Sequence, residues 1–150
     1  MKKQFIQHCF NNRFQQNDKQ IRTLELLINF NKRRSFKDIL TKLFSKPVKK
    51  LGFYLFGDVG VGKTMLLNFF FNHLDVPKKR MHFNEFMINF HNFRHTNKLK
   101  KKDNSIHAYV KNLKKNVDLL YLDEFQVTNI VDAMILGKLF EYIFKENIKV

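Results

Sequence analysis

The sequence predicts an α/β fold in which helices flank a parallel β-sheet, and two apolar runs with polar ends support this prediction. The first run, residues 51–56, leads into a glycine-rich loop and then into an apolar segment that starts with good helix formers. The second run, residues 119–122, ends in two acidic residues. A further strand pattern and helical patterns lie between the two runs, as expected where helices connect parallel strands.

Helical segments are predicted before the glycine-rich loop. Residues 1–16 are basic and polar with scattered Phe, and we interpret them as a frayed lead-in or a partner-binding arm. From Asp18 the pattern becomes helical, and four apolar residues fall on one face: Ile21, Leu24, Leu27 and Ile28. A second amphipathic segment begins at a helix cap at Ser35 and ends at Pro47. We expect both helices to pack beside the core.

The glycine-rich loop carries a complete G-x-x-x-x-G-K-[ST] pattern, the Walker A motif, between a predicted strand and a predicted helix. Glycines let the backbone approach a ligand closely, and the amides at the start of the helix converge on phosphate oxygens. Lys63 is predicted to reach the β- and γ-phosphates, and the Thr64 hydroxyl to bind Mg²⁺. The predicted nucleotide-binding residues are Gly57, Asp58, Val59, Gly60, Val61, Gly62, Lys63 and Thr64.

A second short strand is predicted at residues 80–83, followed by a helix from Glu85 to His95. Its apolar side carries Phe86, Phe90 and Phe93. The histidines His82, His91 and His95 suggest a metal site, because the last two are four residues apart. No third ligand is clearly placed and the H-E-x-x-H pattern is missing, so we interpret them as solvated or hydrogen-bonded side chains.

The second apolar run ends in Asp123 and Glu124, as a Walker B strand does. Such a strand lies inside a parallel sheet, and its carboxyl end opens on the ligand crevice. Asp123 is predicted to hold the Mg²⁺ shell, and Glu124 to activate the attacking water as a general base. The alternative is that both carboxylates simply end a core strand at the surface. A helix over residues 131–145 and the start of a further strand at residues 147–150 follow.

The residues around these motifs favour ATP over GTP. GTPases carry D-x-x-G after this strand and N-K-x-D for guanine. Here the segments read D-E-F-Q at 123–126 and N-K-L-K at 97–100. The adjacent acidic pair is typical of hydrolytic AAA+ and helicase-like classes. A phosphate-loop NTPase of one of these two classes, AAA+-like or helicase-like, is therefore predicted.

Several blocks of the chain resemble the ZapE-type (AFG-one-like) ATPases, an AAA+-related family. They are G-F-Y-L-F-G at 52–57, K-T-M-L at 63–66, H-F-N-E-F-M at 82–87 and D-E-F-Q-V-T at 123–128. The family includes a bacterial cell-division-associated protein and a mitochondrial inner-membrane-associated quality factor. The resemblance implies an ATPase that uses ATP and Mg²⁺ for conformational work on a protein client, a division-ring or membrane-associated protein. It also implies homo-oligomers for complete members, and a cytoplasmic location or, alternatively, the mitochondrial matrix.

Family members continue beyond residue 150, through a sensor residue and an arginine finger. Such a finger contributes roughly 10³–10⁵ in rate. From the helical patterns before the glycine-rich loop, we expect residues 1–47 to be a helical lead-in that packs on the core. Residues 48–150 are expected to be the N-terminal part of an ATPase core, incomplete at its C-terminus. Binding of Mg·ATP with poor or no turnover by this chain alone is the expected behaviour.

The formal net charge of +15 leaves other partners open. It suggests nucleic acid, anionic lipid or an acidic protein, with the basic loop Lys98–Lys102 as the first place of contact. A compositional bias toward Lys, Asn, Ile and Phe explains the charge equally well. The alternatives are thus a nucleic-acid-dependent ATPase, such as a helicase loader, and a non-catalytic remnant. A single Cys9 excludes an intrachain disulfide, and no stretch has the length of a transmembrane segment.

Overall fold

A computed structural model describes residues 1–15, 17–32, 50–97 and 102–150, with side chains in the last range from Ser105 onward. The described residues form six helices and two strands. In chain order these are α1 (Lys2–Asn11), α2 (Asp18–Asn31), α3 (Lys63–Asn72), β1 (Lys78–His82), α4 (Phe83–Thr96), α5 (Lys102–Lys114), β2 (Leu119–Asp123) and α6 (Ile130–Lys145). They fall into two compact units, Met1–Asp75 and Val76–Val150. The predicted α/β class is confirmed.

Helix α1 corrects the prediction of a frayed lead-in. Phe5 and Cys9, four residues apart on the helix, are both buried. The ring of Phe5 meets the ring of Phe69 in α3 edge-on, with the centroids 5.0 Å apart. The prediction was wrong because the surrounding residues are polar, while two buried side chains at helical spacing are enough to hold a short helix on its neighbours.

Helix α2 begins at Asp18, where the apolar pattern predicts. Asn17 caps it: the Asn17 side chain accepts a hydrogen bond from the Gln20 amide at 2.9 Å, and the Gln20 side chain accepts one from the Asn17 amide at 3.4 Å. Leu24 and Leu27 are buried, and α2 packs against α1 and α3. The second predicted helix, from Ser35 to Pro47, lies outside the described residues.

Residues 51–56 do not form the predicted strand. Their exposure alternates as it would in a strand, with Leu51, Phe53 and Leu55 more buried than the residues between them. In the described part of the chain, however, the paired strands are only β1 and β2. The segment contacts α2 through its side chains, since the rings of Phe30 and Phe53 lie 5.7 Å apart. A strand is defined by its hydrogen-bonded partner, which an apolar pattern does not supply.

The second unit contains the parallel strand pair. β1 and β2 pair from Lys78 opposite Leu119 to His82 opposite Asp123, which confirms both predicted strands. Helices α4 and α5 connect them, and α5 was not predicted. An isolated parallel bridge joins Leu119 to Lys149, within the segment where a further strand is predicted to start.

Aromatic and branched side chains form the core of the second unit, between its helices and the strand pair. The ring of Tyr109 in α5 packs edge-on against Phe86, Phe90 and Phe93 of α4, at centroid distances of 5.8, 5.4 and 5.4 Å. This confirms the predicted apolar side of α4. The fully buried members of the core are Phe83, Phe86, Phe90, Ile106, Val110, Leu120, Ile135, Leu139, Ile143 and Ile148.

The buried tyrosine makes stability depend on alkaline pH. Burial, with a smaller contribution from Glu85, raises the pKa of Tyr109 from 10.0 to about 12. Between these values the folded state keeps a proton that the unfolded state releases, so this contribution to stability is complete below pH 10 and is lost as the pH rises toward about 12. We expect the free energy of unfolding, from denaturant titrations on both sides of this window, to fall less in Tyr109→Phe than in the wild type. An equal fall would contradict this, and Tyr54→Phe, at an exposed position, is the control.

Candidate functional site

The glycine-rich loop of the first unit contains two glycines in the left-handed region of backbone conformation. Gly60 and Gly62 have φ values of +84° and +82°, a region that strains residues with a Cβ atom. Gly62 is the N-cap of α3, and its carbonyl accepts a hydrogen bond from the Leu66 amide at 3.0 Å. Helix α3 thus starts at Lys63, directly after the loop. Its first amides have no carbonyl partner within the helix, and the positive end of its dipole lies at the loop.

The Lys63 side chain folds back over this loop. Its Nζ donates hydrogen bonds to the carbonyl oxygens of Gly57 at 2.8 Å and Asp58 at 2.6 Å. The loop itself is exposed, and Val59 is fully so. Thr64, in the first turn of α3, is exposed as well. An ammonium group and a row of amides therefore lie at the solvent-facing surface of one short segment, an arrangement suited to an anionic phosphate chain.

The carboxyl end of β2 holds the second part of the predicted site. Asp123 is the last residue of the strand, and both oxygens of its carboxylate are engaged. Oδ2 accepts a hydrogen bond from Nη2 of Arg80 at 2.5 Å, and Oδ1 accepts one from the Glu124 amide at 3.1 Å. The side chain of Asp123 is 18% exposed. The carboxylate is therefore held in one orientation at the edge of the strand pair.

Glu124 has an unusual backbone conformation. Its φ is +50°, in the left-handed region that residues other than glycine seldom occupy. Such a conformation costs on the order of 1–3 kcal/mol and is common at functional sites. The side chain is 78% exposed, with Oε2 3.6 Å from Nδ1 of His82. The turn after β2 thus presents a carboxylate to solvent next to the fixed carboxylate of Asp123.

Arg80 contacts the predicted site residue Asp123, a contact that the sequence does not indicate. Besides its ion pair with Asp123, its guanidinium lies over the ring of Tyr121, 5.0 Å from the centroid. Burial and the Asp123 charge raise the pKa of Tyr121 to about 12, while Arg80 acts in the opposite direction. Alternation along β1 puts Arg80 on the same face as His82, and His82 pairs with Asp123. The contact between Arg80 and Asp123 can be predicted only when the register of the two strands is known.

The three histidines that the sequence suggests as metal ligands lie in different surroundings. Nε2 of His91 in α4 lies 2.8 Å from Oδ1 of Asp132 in α6, so this pair links two helices of the second unit. His82 lies near Glu124, and His95 is exposed. Across the described ranges, no group of three or more His, Cys, Asp or Glu side chains is arranged to hold a metal ion.

The predicted site residues lie in two compact units. Gly57–Thr64 belong to the first unit, and Asp123 and Glu124 belong to the second. The chemistry of the donors fits Mg²⁺ and a nucleotide: a hydroxyl and a carboxylate are the oxygen ligands that Mg²⁺ prefers, and amides with a lysine suit phosphates. Of the predicted basic loop, residues 98–101 lie outside the described residues, and α5 begins at Lys102. None of the described helices has the length and hydropathy needed to cross a lipid bilayer.

Comparison with known proteins gives one consistent result. The sequence profile of a family described as AFG1-like ATPase matches residues 2–150. Lactation elevated protein 1 homolog B of Danio rerio is 40% identical over 67% of this chain and 22% of its own length. Cell division protein ZapE of Escherichia coli K12 is 36% identical over 68% of this chain and 26% of its own length. The chain thus spans about a quarter of the length of these relatives. No solved structure matches it significantly.

Proposed function

This chain belongs to the AFG1-like ATPase family, and on that premise we propose that it binds Mg·ATP through Gly57–Thr64 and Asp123. The observation that carries the proposal is the loop that ends at Gly62. There the start of α3 and the Lys63 ammonium lie together in one exposed segment. Backbone amides and a lysine in this order are the elements that hold the β- and γ-phosphates of nucleotides.

Each polar side chain has a proposed role. Lys63 pairs with the phosphates, and the Thr64 hydroxyl and the Asp123 carboxylate hold Mg²⁺. When bound, Mg²⁺ neutralises charge that develops on the phosphates. Arg80 keeps the Asp123 carboxylate oriented through their ion pair. Glu124, exposed beside it, accepts a proton from the attacking water.

For the whole protein we propose ATP hydrolysis, conformational work on a protein client and assembly into homo-oligomers. These activities are proposed for the whole protein and not for this chain, since the chain spans only about a quarter of the length of its relatives. The Escherichia coli relative is named a cell division protein, and a division-ring or membrane-associated client is the proposed partner. The proposed location is the cytoplasm, with the periphery of the mitochondrial inner membrane on the matrix side as the alternative.

Nucleotide titration tests this function. We expect saturable binding of a fluorescent ATP analogue that requires Mg²⁺ and is displaced by ATP more readily than by GTP. The D-E-F-Q and N-K-L-K segments lack the patterns by which GTPases are recognised, which is why ATP is the favoured competitor. Equal displacement by GTP would contradict the assignment of ATP. Absence of binding would contradict the site altogether and favour a non-catalytic remnant.

A nucleic-acid-dependent ATPase remains the second candidate, because the net charge of the chain is +15. A protein that neutralises several phosphates of DNA loses affinity steeply as salt rises. ATP turnover stimulated by single- or double-stranded DNA, and a strong decrease of DNA binding between low and moderate salt, would favour this candidate. Turnover that is indifferent to DNA would favour a protein client.

A further inference from the structure

We propose that Gln20 in α2 positions the phosphate-binding loop by holding the carbonyl of Val61. The segment that precedes the loop would then be part of the nucleotide-binding machinery. This inference rests on the proposed function of the loop. It assigns to a side chain 41 residues before Val61 a task that the loop sequence alone does not reveal.

Gln20 is buried, with 9% of its surface exposed, although its side chain is polar. A buried amide needs hydrogen-bonding partners, and the structure provides one at each end. Nε2 donates to the Val61 carbonyl at 3.2 Å, and Oε1 accepts from the Asn17 amide at 3.4 Å. Turning the amide over would place like groups against each other at both ends, so these two partners determine its orientation.

The orientation of the Val61 carbonyl also determines the orientation of the next amide in the loop. It belongs to the peptide group that joins Val61 to Gly62, directly before α3 starts. In a planar trans peptide the C=O and the next N–H point in opposite directions. Because Gln20 holds the carbonyl on its own side, the Gly62 N–H points away from Gln20. If this peptide group rotated, the Val61 carbonyl oxygen would point to the side to which the Gly62 N–H now points. A carbonyl oxygen in that position would repel a phosphate.

The loop also packs directly on this amide. A Cβ atom placed on Gly62 would lie 2.8 Å from Nε2 of Gln20, closer than real Cβ contacts. Gln20 itself is in the first turn of a helix that is capped by Asn17 and packed on α3 through its apolar face. The amide is therefore fixed to a rigid element, as a side chain that positions a site must be.

Two substitutions at Gln20 and one beside it test the proposal. Gln20→Met keeps the approximate size of a neutral side chain but cannot donate a hydrogen bond to the Val61 carbonyl. Gln20→Glu keeps the acceptor for the Asn17 amide but lacks the donor for the Val61 carbonyl. Asn17→Ala removes the side-chain cap of α2 and leaves the Gln20 donor in place. We expect both Gln20 variants to weaken Mg·ATP binding roughly 5- to 20-fold, as the loss of a buried hydrogen bond implies. Asn17→Ala is expected to stay within about twofold of the wild type, even where its thermal stability is lower.

The outcomes separate a positioning role from a structural one. Wild-type affinity in Gln20→Met would overturn the proposal, as would an equal loss of affinity in Asn17→Ala at a similar loss of stability. If the wild type binds, Lys63→Ala binds more weakly, and Gln20→Met binds as the wild type does, then only this inference fails. If the wild type binds no nucleotide, the proposed function fails, and hydrogen exchange of the amides from Gly60 to Thr64 decides the positioning role. Faster exchange in Gln20→Met than in Asn17→Ala supports it, and equal exchange overturns it.

Discussion

Replacing Lys63 with alanine is expected to weaken Mg·ATP binding roughly 10- to 100-fold. The ammonium group lies within 2.8 Å of the Gly57 and Asp58 carbonyl oxygens, at the exposed loop. Hydrogen bonds to charged groups contribute about 1.5–3 kcal/mol, and each 1.4 kcal/mol corresponds to a factor of ten in affinity. Isothermal titration of the wild type and the variant with Mg·ATP measures the difference.

The matched control is Lys19→Ala, which removes the same charge from an exposed position of α2 in the same unit. It separates a specific contact from the general effect of one positive charge on a basic chain. We expect affinity to change by less than about twofold in this control, because the charge of an exposed lysine is screened by water and salt. Equal losses of Mg·ATP affinity in the two variants would mean that Lys63 acts only through the overall positive charge of the chain. Unchanged Mg·ATP affinity in Lys63→Ala would contradict the assignment of the loop to the nucleotide-binding site.

In the whole protein, for which ATP hydrolysis is proposed, replacing Glu124 with glutamine is expected to leave Mg·ATP binding within about twofold. It is expected to lower hydrolysis by about 10²- to 10⁴-fold, the usual contribution of a general base. Glutamine has the same length and the same backbone requirements at a φ of +50°, so the substitution removes the negative charge and the ability to accept the proton with little change of shape. Single-turnover hydrolysis at saturating Mg·ATP, beside a binding titration, separates the two effects.

Glu141→Gln is the control for this prediction, since Glu141 is an exposed carboxylate of α6 paired with Lys145. It is expected to hydrolyse ATP as the wild type does. Hydrolysis at the wild-type rate in Glu124→Gln would rule out the proposed base. Loss of binding in that variant would instead make Glu124 part of the nucleotide-binding surface. A wild-type chain that binds ATP without hydrolysing it would assign the completing residues to another segment of the protein.

The sequence by itself was sufficient for elements with a regular apolar spacing or a glycine pattern, although it did not predict α1 and α5. Helices α2, α4 and α6 follow from the spacing of apolar residues, because a helix repeats its faces every few positions. The start of α3 at Lys63 follows from the glycine pattern, because positive φ values and a helix N-terminus are local properties. The strand Leu119–Asp123 follows from a short apolar run with an acidic end.

Only the tertiary structure decided which distant groups meet. The ion pair between Arg80 and Asp123 depends on the register of two strands, and the hydrogen bond from Gln20 to Val61 depends on how a helix lies beside a loop. Residues 51–56 have the alternation of a strand but no strand partner among the described residues. Patterns along a chain record which side of an element is apolar. They do not record what that side contacts, because contacts between distant segments depend on how the whole unit folds.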